Sequence, residues 1–104
     1  MDNKIKISVI IPSYNPGKKI IHCLNALGKN LDYFSKSCKL IYEVLIINDA
    51  GDEINYNFDH GIKNIRCVRI RKNRGVGYVR QLGSRISKYN CIFYLDSDVV
   101  LENE

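Results

Sequence analysis

The sequence predicts a single α/β domain with a mostly parallel sheet flanked by helices. Short apolar runs rich in β-branched residues recur along the chain, segments of helix length separate them, and polar turn-forming residues follow them. A strand, a helix and a second strand make up the repeating unit of a parallel sheet. These three observations predict the fold class.

The first predicted strand runs from Ile7 to Ile11 and is apolar at nearly every position. A strand that helices cover on both faces has this composition. Turn formers at 12–17 end the strand. Apolar residues then recur at three- and four-residue steps, which predicts an amphipathic helix; they are Ile21, Leu24, Leu27 and Leu31.

Two further strands are predicted before the second helix. The first runs from Glu43 to Ile47 and ends in the polar turn 48–52. Residues 53–61 have little periodicity and are expected to form an irregular or weakly helical connection. The next strand, from Ile65 to Ile70, carries Arg66 and Arg69, and these charges favour a place at the sheet edge.

A second helix is predicted from the glycine-containing segment 75–77 up to 89–90. Val79, Leu82 and Ile86 recur there at helical spacing. Cys91 to Leu95 is the fourth predicted strand, and it ends at Asp96.

The composition is that of one ordinary globular domain spanning residues 1–104. Hydrophobic residues make up 45% of the chain and charged residues 26%. The net charge of +5 suits an anionic partner, which leaves phosphates, nucleic acid and acidic membrane surfaces open. The four cysteines lack C-x-x-C spacing and are expected to be reduced, mostly buried thiols.

The polar N-terminus is followed by an apolar run too short to span a membrane. We therefore expect a cytoplasmic protein. Contact with the inner face of a membrane, through further parts of a longer protein, stays open.

Ligands of open parallel sheets bind beyond the carboxyl ends of the strands, and here those ends are polar. Residues 12–15, 48–49 and 96–98 follow three of the predicted strands. Asp96 and Asp98 lie two residues apart, where both carboxylates can turn toward one hard cation. The position after a buried strand favours a metal site over a solvated turn.

Other residues at these ends have two interpretations each. Asp49 can accept hydrogen bonds from a base or ribose, or it can cap a helix, as Asn48 and Asp52 can. Tyr14 offers a ring face for stacking, or it is a half-buried aromatic residue with a satisfied hydroxyl. Residues 73–77 open a helix, where free N–H groups can bind an anion, and Arg80 lies one turn further along. The glycine spacing disfavours a Rossmann dehydrogenase.

Basic residues are densest between Lys63 and Arg74. We interpret them as charges on a solvated edge strand that discourage edge-to-edge association. The alternative function is a noncatalytic α/β module that binds phosphate-rich partners such as RNA through this stretch.

Four segments together resemble family 2 glycosyltransferases. They are Ser8 to Asn15, the strand ending in Asn48-Asp49, the segment from Asn73 to Gly83, and Leu95 to Asp98. The resemblance implies a GT-A fold, with this chain as its truncated N-terminal, donor-binding half. It implies transfer of a sugar from a nucleoside diphosphate, usually with inversion, to an acceptor glycan or a lipid-linked saccharide.

The resemblance also assigns roles to residues. Pro12, Tyr14 and Asn15 would contribute to the nucleotide-sugar site, and Asp49 would accept from the base, which implies a UDP-sugar. Asp96 would lie near the ribose and the metal, Asp98 would ligate Mg or Mn, and Arg80 would sit beside the nucleotide. Nucleic acid is not implied as a partner.

The catalytic base is not assigned to any residue. Members of the family carry it well beyond the D-x-D motif, and Glu102 and Glu104 follow that motif too closely. We therefore expect the chain to bind donor and metal without completing turnover. A chain that ends after its fourth strand is also expected to leave a sheet edge unpaired and to self-associate.

Overall fold

The computed structural model describes residues 4–97, which form an all-parallel four-stranded sheet with two helices. The elements in chain order are β1 (Lys4–Ser13), α1 (Lys19–Ser35), β2 (Lys39–Asn48), β3 (Ile65–Arg69), α2 (Val76–Ile86) and β4 (Cys91–Tyr94). The strand order is β3-β2-β1-β4. The predicted α/β fold class is confirmed, as is the edge position of β3.

The two central strands are longer than their apolar runs. β1 and β2 pair over ten residues, from Lys4 beside Lys39 to Ser13 beside Asn48. Backbone hydrogen bonding between parallel strands does not require apolar side chains, so pairing continues into the exposed, charged start of each strand. Hydrophobicity alone therefore underestimates both strands at their N-terminal ends.

The helices cover opposite faces of the sheet. Val9, Ile11, Val44 and Ile46 pack with α1, whereas Ile10, Leu45 and Ile47 pack with Val79 of α2. This division follows from strand geometry, since alternate side chains point to opposite faces. The continuous apolar runs of β1 and β2 are explained by this double coverage.

The prediction for the buried stripe of α1 was wrong at one position. Ile20 is 3% exposed and Ile21 is 40% exposed. At about 100° per residue, Ile20 lies close to the centre of the face formed by Leu24, Leu27 and Leu31, and Ile21 lies at its margin. The spacing 20-24-27-31 fits the helical stripe better than 21-24-27-31.

Residues 49–64 form no helix or strand, as predicted, yet they pack tightly against α1. Ile54 and Ile62 are buried in the α1-side core. A Cβ atom added to Gly28 of α1 would lie 1.9 Å from the carbonyl oxygen of His60. The glycine therefore lets this connection approach the helix backbone.

A buried carboxylate fixes the segment between α2 and β4. Glu43 of β2 is 5% exposed, and it accepts hydrogen bonds from Ser8 Oγ at 2.6 Å and from the backbone N–H of Lys88. The Ser8 hydroxyl in turn accepts from the N–H of Tyr89 at 3.2 Å. This network sets the position from which β4 begins.

None of the four cysteines forms a disulfide, and only Cys23 is fully buried. The expectation of mostly buried thiols was wrong, because Cys38 and Cys67 are partly exposed and Cys91 is exposed on the edge strand β4. Burial raises the pKa of the Cys67 thiol, and a backbone hydrogen bond involving Asn48 opposes this rise. Cys67 is therefore held in its neutral form. Among residues 4–97, no helix is long and apolar enough to cross a bilayer.

Candidate functional site

Three polar loops meet at the carboxyl edge of the sheet. Ser13 and Asn48 are register partners at the ends of β1 and β2. The N–H of Leu95 donates to the carbonyl of Ile10 at 2.9 Å, so the chain leaving β4 runs beside the end of β1. The segments after β1, β2 and β4 therefore lie side by side.

The turn after β2 is held by two asparagine side chains. Asn48 Oδ1 accepts from the N–H of Gly51 at 2.9 Å, and its Nδ2 donates to the carbonyl of Asp52 at 2.8 Å. Asn15 Oδ1, from the loop after β1, accepts from the N–H of Asp52 at 2.7 Å. The interpretation of Asn48 as a turn organiser is confirmed, and Asn15 links the two loops.

Asp49 spans the gap between this turn and the start of α2. Its Oδ1 accepts from the N–H of Arg74 at 2.8 Å, and its Oδ2 accepts from the N–H of Gly75 at 2.9 Å. The carboxylate is 5% exposed and lies at a helix N-terminus, where negative charge is favourable. Asp49 therefore joins the turn after β2 to residues 74 and 75, which immediately precede α2.

This contact occupies part of the anion site predicted at residues 73–77. Two of the N–H groups in that segment, those of Arg74 and Gly75, are bound to Asp49. Gly75 has a φ of 85°, a backbone conformation that favours glycine. These two N–H groups already bind a carboxylate of the protein itself, whereas an anion at the first turn of α2 stays a prediction.

A cleft of about 420 Å³ opens at the end of β1, and we call it the aspartate cleft. Its lining residues are Pro12, Tyr14, Asn15, Pro16, Lys19, Asp96 and Ser97. Four of the predicted site residues, from two distant parts of the sequence, therefore line one space. Lys19, a cation in the first turn of α1, is not predicted from the sequence, because no motif distinguishes it from other surface lysines.

A second cleft of about 270 Å³ adjoins the first, and we call it the Asp49 cleft. Its lining residues are Pro12, Ser13, Tyr14, Asp49, Asn73, Gly75, Val76 and Val79. Pro12 and Tyr14 belong to both clefts. The Tyr14 side chain is 57% exposed, so part of its ring is open to a ligand.

Arg80 approaches the aspartate cleft from α2. Its Nη2 atom lies 3.5 Å from Oδ1 of Asp96, and the two side chains are 45% and 52% exposed. Its guanidinium carbon also lies 5.8 Å from the ring centroid of Tyr94. An ion pair this exposed contributes little to stability, so the Asp96 carboxylate can readily exchange it for another cation.

The carboxylate of the aspartate cleft suits a hard cation that takes few ligands from the protein. Between residues 4 and 97, no three His, Cys, Asp or Glu residues cluster as a complete metal site. Asp96 nevertheless presents a half-exposed carboxylate to the aspartate cleft, and Mg²⁺ commonly takes only one or two carboxylates from a protein. Asp98, the other predicted ligand, lies outside the described residues.

The sequence is similar to proteins that transfer sugars. Residues 8–104 match the family model described as glycosyl transferase family 2. The chain is 34% identical over 102 residues to a poly(ribitol-phosphate) β-N-acetylglucosaminyltransferase of Staphylococcus aureus, covering 92% of this chain and 29% of that protein. It is 27% identical over 103 residues to a mouse dolichyl-phosphate β-glucosyltransferase, covering 89% of this chain and 31% of that protein. The chain thus spans about 30% of the length of these relatives.

Proposed function

The chain belongs to glycosyl transferase family 2, and from this premise we propose that it forms the donor-binding part of a sugar-transferring enzyme. The donor is a nucleoside diphosphate sugar, with a UDP-sugar as the specific proposal. The acceptor is a glycan or a lipid-linked saccharide. Four cysteines without a disulfide suit a reducing compartment, so we place the enzyme in the cytoplasm.

One observation carries this proposal: Tyr14 lines two clefts whose other lining residues differ in chemistry. The Asp49 cleft has the smaller volume and a partly apolar lining from Val76 and Val79, which suits a flat, partly polar base. The aspartate cleft contains Lys19 and Asp96, which suits phosphates and a metal. A base in the first and a diphosphate in the second would place the ribose beside Tyr14.

Each residue at the clefts would have a distinct role. Tyr14 offers its exposed ring for stacking, and Asp49 keeps lone pairs for a base N–H beside its two backbone bonds. Lys19 and Arg80 supply positive charge for the phosphates. Asp96 and Asp98 would hold Mg or Mn, which when bound neutralises charge on the departing diphosphate.

A base to deprotonate the acceptor hydroxyl is still needed for inverting transfer. The carboxylates that line the two clefts in the described part of the chain are Asp49 and Asp96. Asp49 is bound to two backbone N–H groups, and Asp96 would hold the metal. We therefore propose that this chain binds donor without completing transfer by itself.

Titration of the chain with UDP tests the proposed function. We expect Mn²⁺ to tighten UDP binding by about tenfold or more, which corresponds to about 1.4 kcal/mol, and the Asp96→Asn variant to lose this gain. The charge-matched control is Asp59→Asn, because Asp59 is exposed and lines neither cleft. Isothermal titration calorimetry measures both affinities. Equal UDP affinity with and without Mn²⁺ would overturn the metal assignment, and no UDP binding at all would overturn the donor site.

The chain itself is proposed to self-associate through β4. Within residues 4–97, β4 is an edge strand that pairs with β1, and its Phe93 and Tyr94 are about half exposed.

We expect the mass from light scattering to rise along a concentration series, which is run in reductant so that Cys91 forms no disulfide. Phe93→Lys should reduce the rise, because a charge on an edge strand opposes pairing. Phe34→Lys, at an equally exposed site on α1, should not. A monomer at every concentration would contradict the proposal.

A further inference from the structure

Positive charge is concentrated in one continuous part of the sequence. Residues 60–95 contain nine of the 16 lysines and arginines and none of the 11 aspartates and glutamates. All the acidic residues lie before this segment or after it. The segment therefore carries a charge of +9, whereas the rest of the chain is net negative.

The fold places part of this charge on the α2 side of the sheet. The segment contains β3, α2 and β4. Arg66 points to the α2 side, since strand side chains alternate and Val68, two residues on, packs in the α2-side core. We define the basic face by six exposed cations of the strand, the helix and the adjoining loops: Arg66, Arg71, Lys72, Arg74, Arg85 and Lys88.

Carboxylates do not neutralise the basic face. Within the described part of the chain, none of its six side chains forms an ion pair, whereas Arg80 pairs with Asp96 and Lys36 with Asp32. Like charges gathered without partners repel one another and create a positive potential over the surface. An anionic partner would relieve that repulsion.

The shape and composition of the basic face favour a flat partner. The two clefts described above are lined by other residues, so neither of them would lead a nucleic acid strand along these cations. Tyr78 is 43% exposed at the start of α2, and the Arg74 guanidinium carbon lies 5.3 Å from its ring centroid. An exposed aromatic ring among long cationic side chains is typical of helices that lie on membranes.

We propose that the basic face binds the surface of an anionic lipid bilayer, with α2 lying against the headgroups. Each cation near such a surface contributes about fivefold to the partition coefficient. Because α2 begins at the Asp49 cleft, this contact would hold the cleft beside the bilayer. The proposal goes beyond sugar transfer and does not depend on donor binding.

Flotation of the chain with lipid vesicles tests the proposal. We expect the 104-residue chain to float with vesicles of phosphatidylcholine and phosphatidylglycerol, and not with phosphatidylcholine alone. The triple variant Arg66→Gln, Arg85→Gln, Lys88→Gln should bind about a hundredfold more weakly. The matched control removes three exposed lysines away from the basic face, by Lys18→Gln, Lys29→Gln, Lys39→Gln. Thermal melting of both variants shows whether they keep the parent fold.

Three outcomes would overturn the proposal. One is equal weakening by the two triple variants, which would indicate attraction by net charge alone. Another is equal binding to vesicles with and without phosphatidylglycerol. The third is tight binding of single-stranded RNA that anionic vesicles do not compete away, which would assign the basic face to nucleic acid.

Discussion

Replacing Gly28 with alanine is expected to destabilise the domain by about 3 kcal/mol. The added Cβ would lie 1.9 Å from the carbonyl oxygen of His60 and 3.1 Å from its carbonyl carbon. These are backbone atoms, so no side chain can rotate away, and either α1 or the 49–64 connection must move. Urea unfolding followed by circular dichroism measures the loss.

The matched control is the same substitution at Gly77. This glycine also lies inside a helix, but an added Cβ would meet nothing within 4 Å. Alanine there should stabilise the domain by about 0.5–1 kcal/mol, because glycine has the lower helix propensity. Equal stability of the Gly28→Ala and parent chains would show that the 49–64 connection does not press on α1.

The core of the fold is predictable from sequence because helices cover both faces of the central strands, and such strands are apolar at nearly every position. The apolar runs 7–11 and 43–47 identify the two central strands, and Arg66 and Arg69 in the third run identify an edge strand. Burial of a whole side chain is worth more than the local backbone preference of a residue. The existence of the strands and the edge position of β3 therefore follow from the pattern of apolar and charged residues, whereas strand ends follow from backbone pairing.

Contacts between distant segments are less predictable. The packing of residues 49–64 on α1 is indicated in the sequence by one residue, Gly28, which lies in the middle of the helix. The buried Glu43 looks like any charged residue at the start of a strand until Ser8 and Lys88 are seen to donate to it. Both depend on groups that meet only in the folded chain.

The same limit applies to the candidate site. Family motifs and strand ends identify Pro12, Tyr14 and Asp96, and the fold brings all three to one cleft. The contact of Asp49 with residues 74–75 joins groups 25 and 26 positions apart, and no local pattern predicts it. Asp49 thus combines a proposed ligand contact with a structural one.

Asp49→Ala is expected to have the largest effect at the site. Two hydrogen bonds to a carboxylate would be lost, from the N–H groups of Arg74 and Gly75, and a charged acceptor is worth about 1.5–3 kcal/mol for each bond. Because part of the loop can regain bonds to water, we expect destabilisation of about 2–4 kcal/mol in total. UDP affinity should fall by at least about tenfold, since one wall of the Asp49 cleft would move.

Asp52→Ala is the matched control, because it removes the same charge from an exposed side chain that lines neither cleft. Amide hydrogen exchange separates the two roles of Asp49. If the carboxylate orders the start of α2, the Arg74 and Gly75 amides should exchange faster in Asp49→Ala than in the parent chain. Their exchange rates in Asp52→Ala should equal those of the parent chain. Faster exchange with unaltered UDP affinity would show that Asp49 is a purely structural residue and that the base does not bind in the Asp49 cleft. Unaltered exchange with weaker UDP binding would instead make the ligand contact its main contribution.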